Sequence, residues 1–212
     1  MSGFARTERL DLARTLLEVG PDAPTLCEGW TARDLAAHLV VRETRADAAP
    51  GIVVPLLSGW TERVQRGFAR QPYDGLVERF RHPPAWAPMS WGPLEEAVNL
   101  TEHFVHHEDV RRAVEGWQRR RLPDAYEEAL WRHLTSRAKV FFSRSPVGVV
   151  LRRPDGQAAV GKPGTPAVTL VGRPQELVLY AFGRRAQALV QVEGAPETVE
   201  AFRRGRAAPE PS

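Results

Sequence analysis

NLTEHFVHHEDVRRA, residues 99–113, places Glu102, His106, Asp109 and Arg112 at successive spacings of four, three and three. On a helix of about 3.6 residues per turn these positions share a face. Asn99 extends the same stripe at its start. A carboxylate and an imidazole four apart project side by side and suit a divalent cation, given a third ligand from elsewhere. The segment Trp30-Thr31-Ala32-Arg33-Asp34-Leu35-Ala36-Ala37-His38-Leu39 supplies one in His38, on an otherwise apolar helical stretch. The expected site is therefore His38, Glu102 and His106, three donors with an open position, as at catalytic zinc centres. Nitrogen and oxygen donors suit Zn, Ni, Fe or Mn, and without thiolates softness does not choose among them. Asp109, one turn past His106, either accepts the free ring N–H of that imidazole or binds the metal itself, and the former is the expected role.

The other polar residues of this helix read more plainly. His103 and His107 point about 100° away from the ligands that precede them and are expected to be surface or interface histidines. Arg111 and Arg112 lie where cations complement the helix dipole. Cys27 is expected to be a small buried apolar residue and not a nucleophile. As the only cysteine it forms no intramolecular disulfide, in keeping with a reducing compartment.

Around this centre the chain divides by texture. Leu10, Ala13, Leu16 and Leu17 predict a first helix over 7–19, closed by Gly20-Pro21. Thr31 followed by Asp34 resembles a capping box before a second helix over about 32–45, with Leu35, His38, Leu39 and Arg42 inward. After the break at Pro50–Pro55 a third helix is expected over 56–69. The Pro-rich stretch 82–93, with Trp86 and Trp91, reads as an ordered loop. The metal-bearing helix, over 94–115, and a long amphipathic one over 123–142 complete a bundle. Beyond residue 145 short β-prone runs at 147–152, 158–161 and 167–171 are separated by Asp155-Gly156 and Pro163-Gly164, which signal turns. A helix over 174–185, a strand over 188–193 and a final helix over 196–204 follow. The expected fold is α+β: a helical bundle over 1–144, a small α+β module over 145–204, and a disordered tail over 205–212.

Composition bounds the partners. The 212 residues are 42% hydrophobic and 26% charged, enough for a substantial core. The net charge of +3 comes with interspersed acids and bases, and neither a helix-turn-helix signature nor a concentrated basic face accompanies it, so nucleic acid is not an expected partner. MSGFARTERL carries no apolar signal region, and no run approaches a membrane span, so a cytoplasmic location is expected.

The residues Trp30-Thr31, Asp34-Leu35-Ala36-Ala37-His38-Leu39 and Glu102-x3-His106 with Asp109 and Arg112 resemble the DinB-like, mycothiol-dependent maleylpyruvate isomerase superfamily, particularly its short metal-binding members. The resemblance spans Phe4 to Trp117. It implies a four-helix bundle holding a divalent metal, usually zinc, on His38, Glu102 and His106. More weakly, Gly172-Arg173-Pro174-x-Glu176-Leu177 and Gly183-Arg184 are similar to the small domain that follows the bundle in the isomerases, where an arginine assists thiol or substrate binding. Arg184 is the candidate here, in a C-terminal module that reads as short for such an isomerase. The implied activity is thiol transfer, addition or isomerisation on a small electrophile, with mycothiol as cosubstrate. The family often dimerises, and Trp60 and Trp117 are candidate contacts. The rival reading is a non-catalytic metal-binding or partner-binding bundle.

Overall fold

Ala5, Glu8, Arg9, Leu12, Ala13 and Leu16 form the buried stripe of the first helix, α1 (Phe4–Val19), in a computed structural model that describes residues 3–44, 58–84, 86–87 and 92–205. Leu10 and Leu17, expected inward, are 37% and 38% exposed. The true face includes the charged pair Glu8 and Arg9, so a stripe read from leucines alone is rotated.

Residues to Arg119 and residues from Arg120 form two separate compact units. The first holds α1, α2 (Ala32–Thr44), α3 (Ser58–Ala69), α4 (Tyr73–Arg81) and α5 (Gly92–Arg111). Asp34 closes the start of α2, its carboxylate accepting from the Thr31 amide (3.0 Å) and the Thr31 hydroxyl (2.8 Å). The acid's half of the expected capping box thus forms, while the Thr31 hydroxyl, expected to accept from a backbone N–H, donates to the acid. Helix α4 is absent from the sequence-based reading, although Tyr73, Leu76, Val77 and Phe80 fall at helical spacing and are all buried. It packs against α1 and α2. Tyr73 donates to the Leu16 carbonyl (2.8 Å), and Phe80 meets the His103 ring edge-on at 5.3 Å. Glu96 on α5 accepts from the Ala5 amide at 3.0 Å and so satisfies the start of α1. The expected break at Pro50–Pro55, Trp91 and the side chain of Trp60 lie outside the described residues.

The second unit places α6 (Asp124–Phe141) with the sheet, so the division falls at Arg119/Arg120 and not at the expected 144/145. The physical reason is packing, since α6 lies against β2 and α7. Strands β1 (Gly148–Arg152), β2 (Ala158–Lys162), β3 (Ala167–Val171) and β4 (Gln191–Glu193) are ordered β2-β1-β3-β4, with β1 and β3 parallel and the outer pairs antiparallel. The Asp155-Gly156 turn closes the hairpin, Asp155 accepting from the Gln157 amide at 3.0 Å. Gly148 is required where β1 runs close to the chain before β3, because a Cβ there would stand 2.2 Å from the Gly164 carbonyl oxygen. Helix α7 (Pro174–Ala181) stops four residues before the expected end. Gly183, at φ +87°, turns the chain so that the amides of Gly183 and Arg184 bond the carbonyls of Tyr180 and Leu179. The fourth strand begins at Gln191 and not Ala188, since the Leu189 amide is taken by the Glu176 carboxylate. The last helix, α8 (Pro196–Gly205), takes in the first residue of the expected tail, and residues 206–212 lie outside the described residues. No helix among the described residues is long and apolar enough to cross a membrane.

Phe80→Ala is expected to destabilise the first unit by about 3–5 kcal/mol, the cost of emptying a closed aromatic site. Urea unfolding checks this, and a loss near zero would show that α4 is not part of the core.

Candidate metal centre

Helix α5 is buried almost continuously from Asn99 to Val110, so its polar side chains must find partners inside the protein. On the face toward α2, Glu102 and His106 stand one turn apart, with His106 Nε2 3.2 Å from Glu102 Oε1. His38 on α2 directs its Nε2 to the same carboxylate oxygen at 3.8 Å. The two imidazoles meet at 5.3 Å between centroids and 68° between planes. One donor atom from each of His38, Glu102 and His106 lies within 4.8 Å of the others. The three residues expected as ligands are therefore brought together. Among the described residues no fourth histidine, cysteine or acid joins that set.

Behind His106, Asp109 Oδ2 is 3.0 Å from Nδ1. A proton held on Nδ1 by Asp109 leaves Nε2 facing Glu102 and His38, to donate to Glu102 when the ring is charged and to offer its lone pair to a cation when it is not. At the rim, Arg42 sits one turn past His38, its Nε 3.3 Å from Glu102 Oε1 and its terminal nitrogens on Asn99 Oδ1 (2.5 Å) and the Val98 carbonyl (3.4 Å). Glu102 keeps 21% side-chain exposure and Arg42 14%, so the centre opens on this side.

The electrostatics follow from these contacts. Burial pushes His38 below its ordinary value, more than the Glu102 carboxylate restores, and the His106 charge adds to the drop. Burial alone would raise Glu102, but bonds from His106 and His38 and the Arg42 charge hold it well below the usual carboxylate range. Burial would lower His106, yet Asp109, Cys27 and Glu102 outweigh it and raise it well above the ordinary imidazole value.

The neighbouring histidines correct the sequence reading. His103 is fully buried, with Nε2 on Glu43 Oε1 (2.9 Å) and Nδ1 on the Ala5 carbonyl (3.1 Å). His107 is buried too, with Nδ1 on Glu8 Oε1 (2.7 Å) and Nε2 beside the Thr15 hydroxyl (2.9 Å). They face other helices and not solvent, because α5 is enclosed on more than one side. Arg112 is likewise buried, its Nε on Glu108 Oε2 (2.5 Å) and its guanidinium 4.3 Å over the Trp117 ring. It balances a buried acid and does more than complement the dipole. Cys27 is half-buried and polar in its contacts, with Sγ 3.2 Å from Asp109 Oδ2. Arg184 lies in the second unit and donates to the Phe182 carbonyl at 2.6 Å. Arg42 and Trp30, whose ring lies 5.0 Å from that of His38, complete the surroundings. The i, i+4 spacing from His38 to Arg42 was the only signal for the first.

Two imidazole nitrogens and one carboxylate oxygen, backed by a second carboxylate, form a donor set that fits a first-row divalent cation. No family model and no curated protein matches the chain. Among solved structures it is similar to the mycothiol-dependent maleylpyruvate isomerase, at 19% identity and a TM-score of 0.63, with 92% of each chain covered. A histidine-to-alanine variant of the mycothiol-dependent maleylpyruvate isomerase matches at 18% identity and a TM-score of 0.58, again over 92% of each chain. The likeness shows a shared fold, an α+β architecture with a helical N-terminal part.

Since His106 carries a proton that a cation on Nε2 must displace, zinc added to metal-free protein at pH 7 is expected to release about one proton. Affinity then falls as pH drops. Calorimetry in buffers of different ionisation enthalpy reads the number, and no release would contradict the placement of charge on His106. His107→Ala is expected to cost roughly 1–3 kcal/mol by removing a hydrogen-bond partner from the buried Glu8 and the half-buried Thr15. Its metal content should match wild type, and a parallel loss of metal would extend the site to that face.

Proposed function

We propose that this protein is a divalent-metal-binding enzyme, most simply a zinc enzyme, that uses a low-molecular-weight thiol to transform a small electrophile. The observation that carries the reading is the convergence of His38, Glu102 and His106, one donor atom from each within 4.8 Å of the others, a set that no fourth His, Cys, Asp or Glu among the described residues joins, although Cys27 and Asp109 form a second such group behind His106. A structural zinc normally closes its four positions with protein ligands, often thiolates. Support for a thiol comes from the fold, shared with an isomerase named as mycothiol-dependent. Thiol addition, thiol transfer and thiol-assisted isomerisation all belong to this reading, with mycothiol as the cosubstrate and the cytoplasm as the compartment.

A divalent cation bound here stabilises a thiolate and so lowers the pKa of an incoming thiol. The protein's own residues do the rest. His38, Glu102 and His106 hold the cation. Asp109 keeps the His106 proton on Nδ1. Arg42 forms an ion pair with Glu102 at 3.3 Å and holds its charge beside that carboxylate. Arg184 remains the residue proposed for the thiol or the substrate. Cys27 is not offered as the nucleophile, since its Sγ is engaged behind His106, at Asp109.

Elemental analysis of the purified protein, with His38→Ala and His106→Ala beside it, is the test. About one equivalent of zinc or another first-row metal is expected in wild type and its loss in both variants, with Glu102→Gln intermediate. Mycothiol-dependent turnover of maleylpyruvate or of a chloro-dinitro arene then separates an enzyme from a metal-binding bundle without catalysis. Metal retained in all three variants would overturn the ligand set.

A further inference from the structure

We propose that the loop joining α1 to α2 clamps both histidines of the metal centre from behind, and that Cys27 is the positioning residue through which it holds His106. The inference rests on the ligand set proposed above. Asp109 Oδ2, the oxygen that lies 3.0 Å from His106 Nδ1, is also 3.2 Å from Cys27 Sγ, which donates to it. Sγ itself stands 3.9 Å from Nδ1. The thiol is thus the second donor on the atom that orients the imidazole. A buried carboxylate is fixed in direction by the donors it accepts.

The loop that carries Cys27 is built to hold it there. At its base the Ala32 amide bonds the Ala23 carbonyl (2.8 Å) and the Arg33 amide bonds the Pro21 carbonyl (3.0 Å), closing the ends together. Inside it, the Cys27 amide donates to Thr25 Oγ1 (3.2 Å), the Thr25 hydroxyl donates to the Trp30 carbonyl (2.9 Å), and the Trp30 amide bonds the Cys27 carbonyl (3.0 Å). The Leu26 amide bonds the Asp109 carbonyl at 3.0 Å, so the loop grips both the backbone and the side chain of one residue of α5. Trp30, three residues past Cys27, lays its ring 5.0 Å from that of His38, at 49°. One short closed loop therefore touches the back of His106 through Asp109 and the ring of His38 directly. Glu102, the third ligand, is held separately by Arg42.

Co2+ binding to the full-length protein reads this directly, through the visible ligand-field bands and competition with a chelator. Cys27→Ala is expected to weaken Co2+ about tenfold and to shift the bands, as loss of an outer-shell partner does. Cys27→Ser, which restores a donor, recovers most of both, while metal-free thermal unfolding stays close to wild type across the series. Trp30→Leu gives an independent arm, expected to weaken binding through His38 with Asp109 untouched. Wild-type affinity and spectrum in Cys27→Ala and Trp30→Leu would overturn the clamp while leaving the ligand set standing. A sulfur-to-cobalt charge-transfer band in wild type, lost in Cys27→Ala, would overturn it in favour of direct ligation. Wild type that binds no Co2+ would sink the ligand set, and the clamp with it.

Discussion

A helix enclosed on more than one side and studded with charge is the constraint on which the first unit depends. Helix α5 buries Asn99, His103, His106, His107, Glu108 and Asp109, with Arg112 buried just past its end, and an unpaired charge in such a place would cost several kcal/mol. Its neighbours are therefore chosen as partners and not only as apolar surface. Helix α1 brings Glu8 and Thr15 to His107, and α2 brings Glu43 to His103. Arg9 then joins Glu43 at 2.5 Å and Glu95 at 2.8 Å, tying α1, α2 and α5 together. The packing of the bundle and the satisfaction of α5 are one problem with one solution.

Against this background the centre differs in stoichiometry. His103 and His107 each sit with one carboxylate and one neutral oxygen, a closed arrangement. On the third face two imidazoles share one carboxylate oxygen, which leaves room for a cation among them and a partly exposed edge. Burial alone does not distinguish a structural histidine from a ligand. What sets this face apart is that two imidazoles converge on one carboxylate oxygen.

The sequence announces some of this clearly. The spacing from Glu102 to His106 and the isolated His38 point to one site because helical periodicity constrains a face without reference to the rest of the fold. The hairpin at Asp155-Gly156 is equally local. What stayed hidden depends on partners far along the chain: Glu8, some hundred residues before His107, and Glu43, sixty before His103, cannot be paired with them by period. The face of α1 was misjudged for the same reason, since Glu8 and Arg9 read as solvated until their partners are known. Helix α4 is the opposite case, a short stripe of Tyr73, Leu76, Val77 and Phe80 that local reasoning had the means to find. Assigning α6 to the second unit required knowing that its apolar face meets α7 and β2.

The reciprocal pairing inside the first unit bears on how such a chain drifts through descent. Exchange of Glu43 alone would take a carboxylate from both His103 and Arg9, and exchange of Glu8 alone would take one from His107. Lineages can cross these positions only by compensated double replacements, such as a charged pair giving way to two apolar residues of matching volume. Such replacements erase sequence likeness two letters at a time and leave the backbone where it was.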